Sequence, residues 1–496
     1  MRVPKPVLIG LLAVLSGVVM PLGFAPFEYF PVPIIALTLL AGLLMHAGSA
    51  RQALLSGWLF GLGQFGAGVS WVYISINRYG DASLGLSLLS MWLLVMYLAL
   101  FPAFMAWLLR RSGARYWIAV VPGFAAAWTL SEWLRSWVFT GFPWLNLGYS
   151  QIESPLAGYA PLLGVYGVGF LTAFSAGLLL LLVKGERQQK AIALVVFTLL
   201  WTGGWFAGQH AWTKPAGEPL PVALVQGNIP QELKWRPEQQ QATLDRYLQL
   251  TETSPDARLV VWPETAIPAF YDQVEPDFLV PLRRQLADRG VSLVTGIPVL
   301  DRRYWNDYNA VISVEHPGRF YYKVHMVPFG EYLPLRDWLA GMLSFLPVPE
   351  SDFTAGRLDQ PLLQAAGYPV GASICYEIAF GEELIHTLPQ AALLINISND
   401  AWFGDSLAPH QHLEMARMRA RETGRYVLRA TNTGISAIVN EQGKVIARSP
   451  QFEQAVVSGE VVPREGSTPY VIWGNWPVVV LSSAIVLGLF VFGRRR

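Results

Sequence analysis

Seven apolar runs crowd the N-terminal part of the chain, at about 7–24, 33–47, 53–75, 87–109, 117–135, 162–183 and 191–208; one more lies near the end, at about 472–492. Each is near the ~20 residues an α-helix needs to cross a bilayer. A backbone in lipid must satisfy its own N–H and C=O groups, so such runs have little choice but helix. The run at 33–47 is short, and the one at 117–135 carries Glu132. Charged residues are 14% of the chain, against roughly 25% in soluble domains, and hydrophobic residues are 53%. Much of this surface has to be hidden in lipid. The net charge of +1 gives no overall basic field of the kind that draws nucleic acid.

Basic residues orient the runs. Arg2 and Lys5 precede the first, Arg51 follows the second, and Arg110, Arg111 and Arg115 follow the fourth. Lys184, Arg187 and Lys190 follow the sixth, and Arg494, Arg495 and Arg496 end the chain. These are alternate loops, and basic loops stay on the cytoplasmic side. The pattern predicts eight spans with both termini inside, which puts residues 210–470 outside, in the periplasm of a Gram-negative inner membrane. The first run has the basic start of a signal peptide, but no small-x-small site precedes Pro26 and more spans follow, so it reads as an uncleaved helix. The expected division is a transmembrane domain of about seven helices at 1–209, an outer domain at 210–470, and a C-terminal helix with a basic tail at 471–496. Glu132 and Arg135, three apart on one helix face, can pair. They read either as a helix-end pair above the lipid or as the polar lining of a lipid-binding cleft.

From Ala211 the composition changes, and strand and helix signals alternate. Expected strands are 222–226, 259–262, 292–296, 309–314, 321–327, 370–375, 393–398, 426–431 and 435–439. Expected helices are about 237–253, 275–289, 380–387 and 411–423. Interleaved signals of this kind point to a layered α/β fold, and some 260 residues make one large domain with a real core.

Cys375 is the only cysteine, so no intramolecular disulfide is open to it. It closes an apolar strand before Tyr376 and Glu377, where it can be a nucleophile or a small core hydrophobe. Glu264 ends another apolar strand, Val260-Val261-Trp262-Pro263-Glu264, as a site carboxylate or a surface one. Lys323 sits in the apolar-aromatic stretch 321–327, where an unpaired ammonium is expensive unless it snorkels. Together the three make a coherent set. A carboxylate takes a thiol proton, and an ammonium holds an oxyanion and favours the thiolate. The N–H of the residue after the nucleophile adds a second oxyanion donor. That is acyl-transfer chemistry on an ester or amide.

The order Glu264, Lys323, Cys375, in the contexts Trp-Pro-Glu, Lys-x-His-x-Val-Pro-Phe-Gly-Glu and Ile-Cys-Tyr-Glu, resembles the nitrilase (carbon–nitrogen hydrolase) superfamily. With its apolar spans, Gly141-Phe142-Pro143-Trp144, Asn228-Ile229-Pro230-Gln231 and the stretch from Asn396 to Gly404, the chain is similar to the membrane-embedded apolipoprotein N-acyltransferase family. The resemblance implies a multi-pass α-helical membrane domain carrying an αββα sandwich with a Glu-Lys-Cys triad. It implies a phospholipid acyl donor, phosphatidylethanolamine, whose sn-1 chain passes through a thioester on Cys375. The implied acceptor is the N-terminal amine of an S-diacylglyceryl-cysteine apolipoprotein. Glu264 would be base and then acid, and Lys323 would hold the oxyanion. Glu331 and Glu377 would orient Lys323 and keep the pocket polar, Tyr376 would line the thioester, and Trp235 would pack on the acyl or headgroup region.

Other signals carry less. His410 and His412 flank Gln411, but no Asp, Glu or Cys falls at a ligand-like spacing, and no metal or other cofactor is expected. There is no G-x-S-x-G elbow and no P-loop. The Arg-rich stretch from Met415 to Glu422 reads as a face toward solvent, another element or lipid headgroups. The apolar stretch 338–347 reads as a membrane-dipping or lid segment, or as a core helix. Three readings stand beside acyl transfer to an apolipoprotein: a tethered amidase that uses water as acceptor, a transporter or lipid-binding scaffold with an inert triad, and an acyltransferase with the same donor but another acceptor.

Overall fold

The computed structural model describes residues 4–80, 82–113, 117–332 and 353–493. The stretch 338–347 lies outside the described residues. The chain divides into two compact units, one of Met1–Tyr73, Ser83–His210 and Ile472–Arg496, the other of Ile74–Ala82 and Ala211–Val471.

The first unit is helical. Its long helices are Lys5–Val19, Pro31–Met45, Ala50–Gly68, Leu84–Arg111, Trp117–Arg135, Ala160–Lys184, Arg187–Ala207 and Trp476–Gly493. Among the described residues, four are long and apolar enough to cross a membrane, or up to five if one bent pair counts as a single span. The expected run at 53–75 breaks instead, its helix ending at Gly68. Apolar side chains such as Leu11, Leu89 and Leu199 point outward, a surface that lipid tolerates and water does not. Small residues let the helices approach. A Cβ on Gly61 would stand 2.7 Å from Ala99 Cα, and one on Gly17 would stand 2.0 Å from the Phe60 carbonyl.

Glu132 and Arg135 are buried within this unit, so neither surface reading fits. Arg135 Nη1 donates to the carbonyls of Phe142 and Trp144, each at 2.6 Å, and Nη2 to Asn146 Oδ1 at 2.6 Å. Glu132 accepts from the Leu147 N–H at 2.8 Å. The pair is an internal staple for the non-helical segment after its own helix. That segment has many peptide groups and no ladder to satisfy them.

The second unit is two mixed six-stranded sheets face to face. In chain order its strands are β1 Lys214–Pro215, β2 Leu220–Gln226, β3 Leu259–Val261, β4 Ser292–Asp301, β5 Asn306–Ser313, β6 Phe320–Tyr322, β7 Leu363–Ala365, β8 Tyr368–Ile374, β9 Leu393–Ser398, β10 Val427–Thr431, β11 Ala437–Val439, β12 Val445–Arg448, β13 Ala455–Val461 and β14 Arg464–Glu465. One sheet runs β13-β2-β3-β4-β5-β6, the other β12-β11-β10-β9-β8-β7, and β1 pairs with β14 alone. The centres, β2-β3-β4 and β8-β9-β10, are parallel. Alternation along β2 shows why its sequence is apolar from Leu220 to Val225. Val222 and Leu224 join Val370, Ile374 and Ile397 in the core between the sheets, while Ala223 and Val225 pack with Leu244, Tyr247 and Leu286 of the outer helices. A strand covered on both faces is apolar wherever no partner is at hand; the one polar residue of β2, Gln226 at the end, donates to the Pro450 and Glu453 carbonyls. Helices Pro237–Glu252 and Val280–Arg289 cover one sheet and Ala408–Thr423 the other.

Several expectations change. The strand expected at 321–327 stops at Tyr322, because the N–H groups of Val324 and His325 are taken by the Glu377 carboxylate instead of a neighbouring strand. The helix expected at 380–387 is two short turns, Gly381–Leu384 and Ile385–Thr387. The Arg-rich stretch faces other elements, not solvent or headgroups: Arg417, Arg419 and Glu422 are all buried.

Candidate active site

Parallel central strands carry their carboxyl ends to one edge of each sheet, and α/β folds keep their sites there. The Val260–Glu264 stretch leaves β3 at that edge, and Cys375 follows β8 at the matching edge of the other sheet. Cys375 opens a tight 3-10 turn, Cys375–Ala379, with φ +52°. Asn228 and Thr265, beside the same edge, also have positive φ, +49° each. Non-glycine residues held this way store on the order of 1–3 kcal/mol apiece and persist only where their surroundings over-determine them.

Lys323 comes in just past β6, its N–H bonded to the Asn309 carbonyl at 2.8 Å. It is 1% exposed, so it does not snorkel. Its ammonium lies 2.7 Å from Glu331 Oε1 and 3.9 Å from Glu264 Oε1. Glu264 is 7% exposed and accepts from Asn309 Nδ2 at 2.7 Å. Burial pulls the ammonium down, but Glu331, Glu264 and the nearby thiol outweigh it and hold Lys323 above the ordinary lysine value. It stays charged across the working range. Burial pushes the Cys375 thiol up to about 12; the Glu264 charge adds to this, Lys323 opposes it, Asp400 adds, and a hydrogen bond with Ser398 opposes. At neutral pH Cys375 is therefore a thiol, and any attack by its sulfur would need a base.

Glu331 faces Lys323 directly and anchors itself on the Val327 N–H at 2.8 Å. Glu377 does something else. It accepts from the N–H of Ile374 at 2.6 Å and of His325 at 3.1 Å, and from the Tyr321 hydroxyl at 3.1 Å. Burial lifts it to about 7 against the pull of Lys323 and those N–H groups. It ties the lysine-bearing loop to the cysteine turn. Tyr376 is buried edge-on to Phe380, ring centres 5.1 Å apart. Trp235 is 51% exposed at the end of a short helix, Gln231–Lys234.

Sequence reasoning missed Lys234. Its ammonium is buried and donates to the Glu264 carbonyl and to Thr265 Oγ1, both at 3.0 Å. Burial lowers it to about 8, with Glu264 and Cys375 pulling the other way. No local signal marks it, because a lysine beside an exposed tryptophan reads as surface. Asp400 and Arg429 carry no sequence signal of their own either, and His412 reads only as one of a pair with His410; all three sit behind the cysteine turn. Among the described residues no group of three or more His, Cys, Asp or Glu could hold a metal ion.

Residues 221–470 match the family model described as Carbon-nitrogen hydrolase, so the two-sheet unit is a carbon–nitrogen hydrolase domain of nitrilase-like fold. Residues 16–178 match the model described as Apolipoprotein N-acyltransferase N-terminal domain. A protein of Methylococcus capsulatus named apolipoprotein N-acyltransferase is 48% identical over 98% of this chain and 96% of its own length. One of Nitrosomonas europaea with the same name is 44% identical over 97% of each. The chain belongs to the apolipoprotein N-acyltransferase family. Among solved structures, Nit3 of Saccharomyces cerevisiae is similar at 23% identity and a TM-score of 0.37, covering 50% of this chain and 91% of that one.

Proposed function

We propose that this chain is a membrane acyltransferase that moves the sn-1 acyl chain of a phospholipid, through a thioester on Cys375, to the N-terminal amine of an S-diacylglyceryl-cysteine apolipoprotein. The observation that carries this is the buried Glu264–Lys323–Glu331 cluster in electrostatic reach of a strained, protonated Cys375. Family membership supports the acceptor.

In the first step Glu264 takes the thiol proton and the sulfur attacks the ester carbonyl. The Lys323 ammonium and the Tyr376 N–H hold the oxyanion. Preorganised donors in a dry site are worth most where charge develops. Collapse breaks the ester C–O bond, and Glu264 returns its proton to the departing lysophospholipid oxygen. In the second step the acceptor amine attacks the thioester, Glu264 takes its proton, and collapse expels the sulfur, which is reprotonated. Glu331 holds Lys323 in place, and Glu377 fixes the loop that carries it. Tyr376 lines the thioester and Trp235 meets acyl chain or headgroup. A thioester exposed to bulk water hydrolyses, so the site has to admit the amine while limiting water. The proposal includes the division at 1–209, 210–470 and 471–496, with eight spans, both termini inside and the catalytic domain in the periplasm.

The test is intact-protein mass spectrometry of the detergent-solubilised chain mixed with phosphatidylethanolamine and no acceptor. An added acyl mass that hydroxylamine removes, and that Cys375→Ala lacks, is the expected result. Folded wild type with no adduct overturns the donor or the covalent step, and an adduct on Cys375→Ala overturns the nucleophile.

A further inference from the structure

The polar groups packed behind the Cys375 turn take no part in the steps above, yet all are buried. His412, on the helix Ala408–Thr423, brings Nε2 to 3.0 Å from the Cys375 carbonyl oxygen. Its Nδ1 lies 2.9 Å from Arg429 Nη2 and 3.1 Å from Asp400 Oδ1. The same Arg429 nitrogen donates to Asp400 Oδ2 at 2.8 Å, and Nη1 donates to Asn396 Oδ1. Asn396 Nδ2 in turn donates to Ser373 Oγ at 3.0 Å and reaches the Cys375 carbonyl at 3.4 Å. Ser398 donates to Asp400 at 2.7 Å.

Donor and acceptor chemistry sets the protons. A carbonyl only accepts, so Nε2 carries the hydrogen. Nδ1 then accepts from Arg429, whose second hydrogen on that nitrogen goes to Asp400. The neutral Nε2–H tautomer satisfies every one of these contacts, whereas a charged ring would turn an Nδ1–H toward Asp400 Oδ1 against the N–H of Arg429. Burial and the Arg429 charge, which hold His412 below the ordinary histidine value, agree with this.

The target of that hydrogen is the peptide between Cys375 and Tyr376. A trans peptide is planar, its C=O and N–H pointing opposite ways. Holding the carbonyl therefore aims the Tyr376 N–H and also fixes ψ at Cys375, the torsion between that peptide and the Cα that carries the sulfur. We propose that His412, oriented by Arg429 and Asp400, is a positioning residue for acyl transfer: it pins the Cys375 carbonyl and so aims both the nucleophile and the Tyr376 N–H. This rests on the thioester reading given above.

Two variants separate positioning from bulk structure. The amide nitrogen of His412→Gln falls where Nε2 lies and keeps the bond to the Cys375 carbonyl. That of His412→Asn falls where Nδ1 lies and loses it. The full chain in detergent micelles is mixed with phosphatidylethanolamine, and thioester formation is followed by intact mass, beside thermal unfolding. His412→Gln is expected to keep most of the wild-type rate. His412→Asn should lose on the order of 10²-fold, the scale for a misplaced reacting group, with unchanged dependence on lipid concentration and an unfolding midpoint matching that of His412→Gln. Equal rates in the two variants, or rate losses that simply follow their midpoints, overturn the proposal. No adduct in wild type sinks the thioester reading, and this inference with it.

Discussion

At the scale of the residue, the thiol is poised by opposing charges. Burial and Glu264 raise it, and Lys323 lowers it without prevailing. The reactive fraction is the thiolate, which grows about tenfold per pH unit below the thiol pKa. With that value at about 12, alkylation of Cys375 by iodoacetamide should climb steadily through pH 10, whereas an ordinary cysteine levels off. A plateau below pH 9 speaks against the buried neutral thiol. Glu264→Gln gives two effects of opposite sign. Removing the carboxylate charge lowers the thiol pKa, so alkylation at pH 8 should quicken. Removing the base should slow thioester formation by ~10²–10⁴-fold. If both rates fall together, Glu264 acts through structure and not as a base.

At the scale of the element, the site depends on how closely two strands approach. Gly296, in β4, passes under the Glu264 corner with its N–H bonded to the Pro263 carbonyl at 3.2 Å. A Cβ there would stand 2.5 Å from the Thr265 nitrogen and 2.8 Å from Glu264 Cα. Backbone cannot yield as a side-chain tip can. Gly296→Ala is therefore expected to cost about 1–3 kcal/mol, seen as a lower unfolding midpoint in detergent. It should also slow thioester formation by more than the fraction of chain unfolded, because it displaces Glu264, the proposed base. Unchanged midpoint and rate would mean that β4 shifts freely, against this account.

At the scale of the whole molecule, the basic loops and apolar runs carry the orientation. Residues 210–470 lie between two apolar runs and are proposed to face the periplasm. An alkaline phosphatase reporter fused after residue 400 should be active, since it needs an oxidising compartment to form its disulfides. An inactive reporter there, with activity from a cytoplasmic-type reporter at the same point, inverts the orientation.

The sequence by itself determined what depends on local pattern. Apolar runs near membrane length specify helices because lipid offers no hydrogen bonds. Continuously apolar runs such as Leu220 to Val225 of β2 specify burial on both faces. A single cysteine after such a strand, with Glu264 and Lys323 in matching contexts, pointed to the acyl-transfer chemistry proposed above. Tertiary structure alone decided what depends on approach across the fold. Lys234 and Gly296 reach Glu264 only because their segments meet at the β3 corner, and nothing in their own neighbourhoods says so. His412 read as one of a pair with His410, yet its partners are Arg429, Asp400 and the Cys375 carbonyl. That Glu377 would act on Lys323 by clamping the backbone of the loop just after it was not legible, because that loop lies 50 and more positions away in the chain. A buried hydrogen bond between distant segments leaves no periodicity behind, so only their packing reveals it.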